Sequence, residues 1–398
     1  MGAHYAFPGG QVEPGEDPID CAARELAEEV GVRIAPSEVI PVGRWVTPAF
    51  NPRRFDTCFF LARCPAGQVP RCDTPELDFG EWVEPGTALR RWQEGSIMMA
   101  PPIQHALAAL AGGLDDIQAR MTSDPRARGA GIPAIEMRKG IVLVPVRTPT
   151  LPPATHTNCY IVGGDELIVI DPASPYPEER EILDAVLEQM TAEGRRIREI
   201  WLTHRHSDHI SGANHLRDRW DVPIAAHEIT AREISGNIEV DRFLSDGEVV
   251  DLAGDPGWTL EIVHTPGHAR GHICIFEERR GSLITGDMMA GVGTIVIDPP
   301  EGHMGTYLES LRRMEELEPT ALFFAHGPAS ATAPEKLREY IDHRVERETN
   351  ILNAWQAGKM TSDAIVPEVY TDVHPKMWGL AERSVSAHLE KLREEGRI

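Results

Sequence analysis

His204-Arg205-His206-Ser207-Asp208-His209 is the stretch that decides how this chain is read. Three of the chain's 16 histidines fall within six positions, beside an aspartate. The run Ile200–Thr203 directly before it is apolar and β-prone, as a strand should be. Side chains alternate along a strand, so His204 and His206 can turn both imidazoles to one side. Asp208 and His209 then lead into a helical segment, Ile210–Leu216. Ligands on both sides of such a turn can serve two adjacent ions.

Three further candidates stand at the ends of expected strands. His268 follows Leu260–His264, Asp287 follows Leu283–Thr285, and His326 follows Leu322–Ala325. Imidazole and carboxylate groups suit zinc, and a site with three or four protein ligands leaves room for water. A carboxylate such as Asp287 can bridge two cations. A lone histidine is usually an ordinary polar or core residue; His4, His105, His156, His343, His374 and His388 are read that way. His272 has two readings, a residue supporting the ligands or a strand residue facing solvent.

The order HxHxDH, TPGH, GD and HG resembles the metallo-β-lactamase superfamily. Asp171, in Ile170-Asp171-Pro172, matches that superfamily's early aspartate, which supports the site from behind. The resemblance implies an αββα sandwich with two zinc ions per domain. His204, His206 and His268 would hold one ion, Asp208, His209 and His326 the other, and Asp287 would bridge them. Two such ions make a water nucleophilic near neutral pH. The expected catalytic residues are Asp287 and Asp208, the latter for proton handling or ligand orientation. The chain carries no GxSxG motif that would suggest a protein nucleophile. His206, where the di-iron flavoprotein branch has Glu, argues against that branch.

The tail, with His388–Arg397 after a turn at Pro375, resembles a small winged helix. A lactamase domain with such a tail is similar to the branch that includes the endoribonuclease β-lactamase-like protein 2. Gly293–Ile297 and Tyr307–Leu311 fit that branch too, and the resemblance spans about residues 138–398.

The N-terminal part carries a second motif. Gly10-Gln11-Val12-Glu13-Pro14-Gly15-Glu16 continues to Arg24-Glu25-Leu26-Ala27-Glu28-Glu29-Val30-Gly31-Val32, which fits the Nudix box at each defined position. On a helix Glu25, Glu28 and Glu29 share one face. Carboxylates so placed repel unless a cation intervenes, and Mg²⁺ held by carboxylates and substrate phosphates answers that. A solvated acidic helix is the plainer alternative. Pro52–Thr57 and Glu81–Pro85 resemble coenzyme A diphosphatase-type Nudix domains. Nudix folds place one or two strands before the box. Only nine residues precede Gly10, so either the start is misassigned or the domain lacks part of its sheet, which would leave an open edge.

The fold class expected is thus α/β. It comprises a Nudix-like α/β/α domain at 1–113, a linker at 114–137, the lactamase sandwich at 138–339 and the winged helix at 340–398. The linker reading rests on the Pro, Gly and small polar residues of 122–133. At 398 residues the chain is long enough for several cores. Its 41% hydrophobic and 25% charged residues are ordinary for a globular protein. The apolar runs are too short to span a membrane. The N-terminus lacks the pattern of a secretory leader, and Ala6 stands where a myristoylation signal wants Ser or Thr. The six cysteines show no CxxC pair and read as reduced thiols, so a cytoplasmic protein is expected.

A formal net charge of −23 disfavours duplex DNA as a partner. Single-stranded RNA or a small molecule is the expected substrate, and a homodimer is left open. The foremost activity is phosphodiester hydrolysis. The alternative is a thioester hydrolase of glyoxalase-II or acyl-CoA type, with Nudix pyrophosphohydrolysis of CoA or nucleotides as a second activity. A non-enzymatic winged-helix regulator is disfavoured by intact ligand sets in both enzymatic parts.

Overall fold

The computed structural model describes residues 3–48, 54–72, 77, 79–123 and 134–398. The chain forms two compact units, Ala3–Lys139 and Gly140–Ile398.

In the first unit, the helix Pro18–Val30 is set by its own punctuation. The Asp17 side chain accepts from the Ile19 amide, Pro18 opens the first turn, and Gly31 closes it in a left-handed conformation at φ 70°. A strand Ala3–Tyr5 lies before the box and pairs in parallel with Ile97–Met99. One short strand therefore does precede Gly10, where the sequence suggested a missing piece. Ile40–Val46 and Asp56–Leu61 form an antiparallel pair.

The expected linker needs correction at its start. Ile117–Ser123 is a helix. Its Ile117 and Met121, one turn apart, are buried with Val42, Ala106 and Ala109. That apolar contact, worth about 1.5–3 kcal/mol per fully buried side chain, ties the segment to this unit's core. Residues 124–133, where the linker chemistry concentrates, lie outside the described residues, as do Pro52 and Arg53 of the coenzyme A-type match.

The second unit is built on two sheets. The strands of one run in the order Arg242–Leu244, Ile224–His227, Arg196–Leu202, Glu166–Ile170, His156–Gly163, Ile141–Arg147. The first four are mutually parallel and the remaining pairings antiparallel. The other sheet runs Val249–Leu252, Trp258–His264, Ile273–Glu277, Ser282–Gly286, Ala321–Phe324, antiparallel until its last, parallel pair. Strands covered on both faces read as continuous apolar runs; Ile141–Val146 is such a run and is buried throughout.

The sheets meet at Tyr160 and Phe323, whose rings lie edge to face at 6.0 Å, and the Tyr160 hydroxyl donates to the Phe324 carbonyl. Helices cover the outer faces. Pro177–Ala192 buries Leu183, Val186, Leu187 and Met190, an i, i+3, i+4, i+7 stripe. Met304–Glu316 buries Tyr307, Leu308, Leu311 and Met314. This is the αββα sandwich.

The expected division near residue 340 falls inside one continuous helix, Ala333–Gln356. Nothing between Glu335 and Gln356 is Gly or Pro, so the chain has no reason to break there. The helices Ser362–Val369 and Trp378–Glu394 then close with it around Ile351, Ile365, Val385 and Leu392. Among the described residues after Gln356 there is no β-strand. Among the described residues, no helix is long and apolar enough to cross a membrane.

Candidate metal centre

Several ligand candidates of the second unit, and the supporting Asp171, sit just beyond strand ends. Asp171 follows Glu166–Ile170, His204 follows Arg196–Leu202, His268 follows Trp258–His264, Asp287 follows Ser282–Gly286, and His326 follows Ala321–Phe324. His209 lies in the short helix Ser207–Ile210. The fold gathers them into two groups whose ligand atoms lie within 4.8 Å of one another: His204, His206, His268 and Asp287, and Asp208, His209 and His326.

In the first group, His206 Nδ1 lies 3.0 Å from both His204 Nε2 and His268 Nε2. Nitrogen atoms about 2.1 Å from one tetrahedral ion stand about 3.4 Å apart, so this spacing fits a shared cation. Asp287 faces both groups. Its Oδ2 is 3.5 Å from His268 Nε2, and its Oδ1 is 3.3 Å from His326 Nε2 and 3.5 Å from His209 Nε2. His209 Nε2 and Asp287 Oδ1 are buried with no hydrogen-bond partner. Orphaned buried polar atoms cost about 1–3 kcal/mol each, and one cation between them satisfies both. The donor set therefore fits divalent metals.

The ligands' far sides are fixed. His209 Nδ1 donates to Asp171 Oδ2 at 2.8 Å. Asp171 also accepts from the Thr203 amide and hydroxyl, at 2.8 and 2.7 Å. The Thr203 oxygen, with its proton committed to Asp171, accepts from His204 Nδ1 at 3.0 Å. His268 Nδ1 donates to the Val296 carbonyl at 2.9 Å and His326 Nδ1 to the His156 carbonyl at 3.0 Å. Each arrangement leaves the other ring nitrogen with its lone pair toward the centre.

His272 is fully buried, which removes its solvent-facing reading. Its Nε2 accepts from the Asp287 amide at 3.0 Å, and Thr265 Oγ1 holds its Nδ1 at 2.9 Å. Gly286 has φ 47°, and a Cβ there would lie 2.5 Å from His272 Nε2, so this contact demands glycine.

Burial and neighbouring imidazoles push His204 and His272 well below the ordinary histidine range, and burial brings His268 down to about 4. Burial opposes protonation of His209 and His326 as well, but the Asp287 carboxylate outweighs it and holds both above that range. Burial would likewise raise Asp287; His326 and His209 instead hold it well below the carboxylate range.

Sequence reading missed Glu301. Its carboxylate lies 3.3 Å from His206 Nε2 and pairs with Arg205 through both guanidinium edges. Burial works against its ionisation, yet His206 and Arg205 hold its pKa at about 2. Glu301 sits in an ordinary loop 95 residues from His206, so only the fold could reveal it.

The first unit arranges its acidic residues differently. Glu25, Glu28 and Glu29 line a cleft of about 600 Å³ with Gly9, Gly10 and Arg24. Among the described residues they are not one of the sets whose ligand atoms fall within 4.8 Å. Arg24 instead donates to Glu16, Glu25 and Glu28 at 2.8–3.1 Å. Glu29 accepts from the Gly9 amide at 2.8 Å.

Comparison with known proteins gives the family. Residues 152–326 match the family described as metallo-beta-lactamase superfamily. The lactamase-like protein aptB of Emericella nidulans is 30% identical over 253 residues, 61% of this chain and 77% of that protein. The chain belongs to the metallo-beta-lactamase superfamily. Residues 2–100 match the NUDIX domain, and residues 361–398 match the beta-lactamase associated winged helix domain.

A beta-lactamase-like protein 2 homolog from Caenorhabditis elegans is 29% identical over 246 residues, 60% of this chain and 79% of that one. An atrochrysone carboxyl ACP thioesterase from Paecilomyces divaricatus is 29% identical over 254 residues, covering 61% and 76%. A beta-lactamase domain protein from Burkholderia ambifaria shares the fold, with TM-score 0.58 at 20% identity over 68% of this chain and 91% of that one. Superfamily membership and the paired ligand groups make the chain a metal-dependent hydrolase.

Proposed function

We propose that residues 138–398 form a zinc-dependent hydrolase that cleaves phosphodiester bonds of single-stranded RNA. The observation that carries this reading is Asp287, whose two oxygens face two separate ligand groups. His204, His206 and His268 would hold one ion, Asp208, His209 and His326 the other, with Asp287 common to both. Zinc ions bound there supply Lewis acidity and a water nucleophilic near neutral pH.

This chain's own residues do the positioning. Asp171 orients His209 directly and His204 through Thr203. His272 fixes the backbone amide that carries Asp287. Asp208, half-buried beside His326 at 3.7 Å, is placed to orient that ligand or handle a proton. RNA is preferred for the likeness to beta-lactamase-like protein 2 and for the winged-helix tail at 340–398. The tail is not basic, with eight Lys or Arg against ten Asp or Glu between 341 and 398. That composition disfavours duplex DNA.

A second reading, hydrolysis of a thioester, is favoured by the relatives named as acyl carrier thioesterases. The N-terminal part, residues 1–113, would add Mg²⁺-dependent pyrophosphohydrolysis of CoA or nucleotides, with Glu25, Glu28 and Glu29 as ligands. The deciding experiment compares the wild type with Asp287→Asn on labelled single-stranded RNA and on acyl-CoA thioesters. RNA cleavage that needs metal and Asp287 supports the first reading. Thioester loss with intact RNA overturns it.

A further inference from the structure

The loop Ala290–His303 lies between the metal centre and the C-terminal helices. On its inner side it meets two of the three histidines of the first ligand group. The Val296 carbonyl accepts from His268 Nδ1 at 2.9 Å, and the Glu301 carboxylate stands 3.3 Å from His206 Nε2. His206 presents Nδ1 to the other ligands, so its Nε2 carries the proton and donates to Glu301. This is the outer carboxylate that fixes ring orientation at a metal-binding histidine. Arg205 in turn aims Glu301 from the other side.

The outer side of the same loop is held by the tail. At its start, Tyr340 Oη accepts from the Ala290 amide at 2.9 Å and donates to the Ala290 carbonyl at 3.0 Å. Arg344, buried in the same helix, donates to the Ile295 carbonyl at 2.6 Å, next to Val296. Around Glu301 the last helix takes over. Arg383 reaches Asp298 at 3.0 Å, and Glu394 reaches His303 Nε2 at 2.8 Å. The His303 amide donates to Gly267, the neighbour of His268. Every stretch of the loop that touches a ligand thus has a tail contact beside it.

We propose that Glu301 is a positioning residue for His206, and that the C-terminal helices act as a clamp that keeps the Ala290–His303 loop, and with it the first metal group, in ligating geometry. The tail is then part of the metal centre's support as well as a candidate substrate surface. This rests on the metal-centre reading above, and the test separates the two.

The full-length chain is stripped of metal and titrated with zinc against a chromophoric chelator. The same is done for Glu301→Ala, Glu301→Gln and the double variant Arg383→Ala/Glu394→Ala. The cobalt-substituted forms are compared by visible absorption, and the metal-free forms by thermal melting. Outer-carboxylate loss weakens metal binding about 10–100-fold. Glu301→Ala is expected to weaken one of the two zinc events by that factor, leave the other within about twofold and shift the cobalt bands. Glu301→Gln, which still accepts a hydrogen bond, recovers part of the loss. The tail variant, altered only at exposed side chains, weakens the same event by a smaller factor at unchanged melting temperature.

Wild type binding two zinc ions with Glu301→Ala and the tail variant indistinguishable from it overturns the clamp and leaves the metal centre standing. Wild type binding no zinc overturns both.

Discussion

The two sites solve the problem of close ligands in opposite ways. In the second unit, the centre around His204–His209 is buried, and most ligands are tied down on their far side by a named acceptor. In the first unit, the acidic helix face is half-buried with Glu28 exposed, and Arg24 bridges Glu16, Glu25 and Glu28. One site is organised before any ion arrives. The other is compensated by a guanidinium that a cation would have to displace. Buried ligands with orphaned atoms demand an ion, whereas carboxylates already paired with a guanidinium only tolerate one. Ligand residue types alone do not make equivalent metal sites.

The largest effect is expected at Asp287. Asp287→Asn removes the carboxylate that serves both ligand groups. Hydrolysis is expected to fall by more than the roughly 10–100-fold that outer residues cost, measured as kcat/KM on the preferred substrate. Activity within tenfold of wild type would mean the two groups work separately. Next comes Glu28→Gln, expected to abolish hydrolysis of CoA or nucleotides while zinc content stays unchanged. Surviving pyrophosphohydrolase activity would remove the Nudix residues from the account.

Support residues give the middle effect. Thr203→Val deletes the oxygen that links Asp171 to His204, and zinc affinity should drop about 10–100-fold. An unchanged titration would leave Asp171 acting through His209 alone.

The smallest effect sharpens the contrast through pH. His209 and His326 are held above the ordinary histidine range by Asp287, so protons compete with metal for them. Affinity should rise as pH rises through their titration, and zinc should leave early on acidification. Glu16 behaves oppositely. Its pKa is lowered to about 2, chiefly by Arg24. A depressed carboxylate favours the fold above the ordinary glutamate range and loses that contribution as pH falls toward 2. A dye-reported zinc release should therefore precede any acid loosening of the first unit. Coincident transitions would place the two sites in one cooperative event.

Much of this was legible beforehand because local chemistry wrote it. The HxHxDH spacing, the strand-end positions of His268, Asp287 and His326, and the shared helix face of Glu25, Glu28 and Glu29 are short-range signals. What was not legible depends on distant contacts. Glu301 has no local mark, and His272 kept two readings until the fold buried it against Asp287. The helix Ile117–Ser123 hid among linker-like residues because its only argument is Ile117 and Met121 meeting Val42. The boundary near residue 340 has no local mark, since no breaker interrupts Ala333–Gln356 and a helix does not stop where a function changes.

The central claim is a two-ion centre joined by Asp287. Its most direct test is the zinc content of the purified full-length chain by plasma mass spectrometry, beside Asp287→Asn and Glu28→Gln. Two zinc ions per chain are expected in the wild type and in Glu28→Gln, and one or fewer in Asp287→Asn. Zinc-free wild type, or Asp287→Asn holding two ions as tightly, would contradict it.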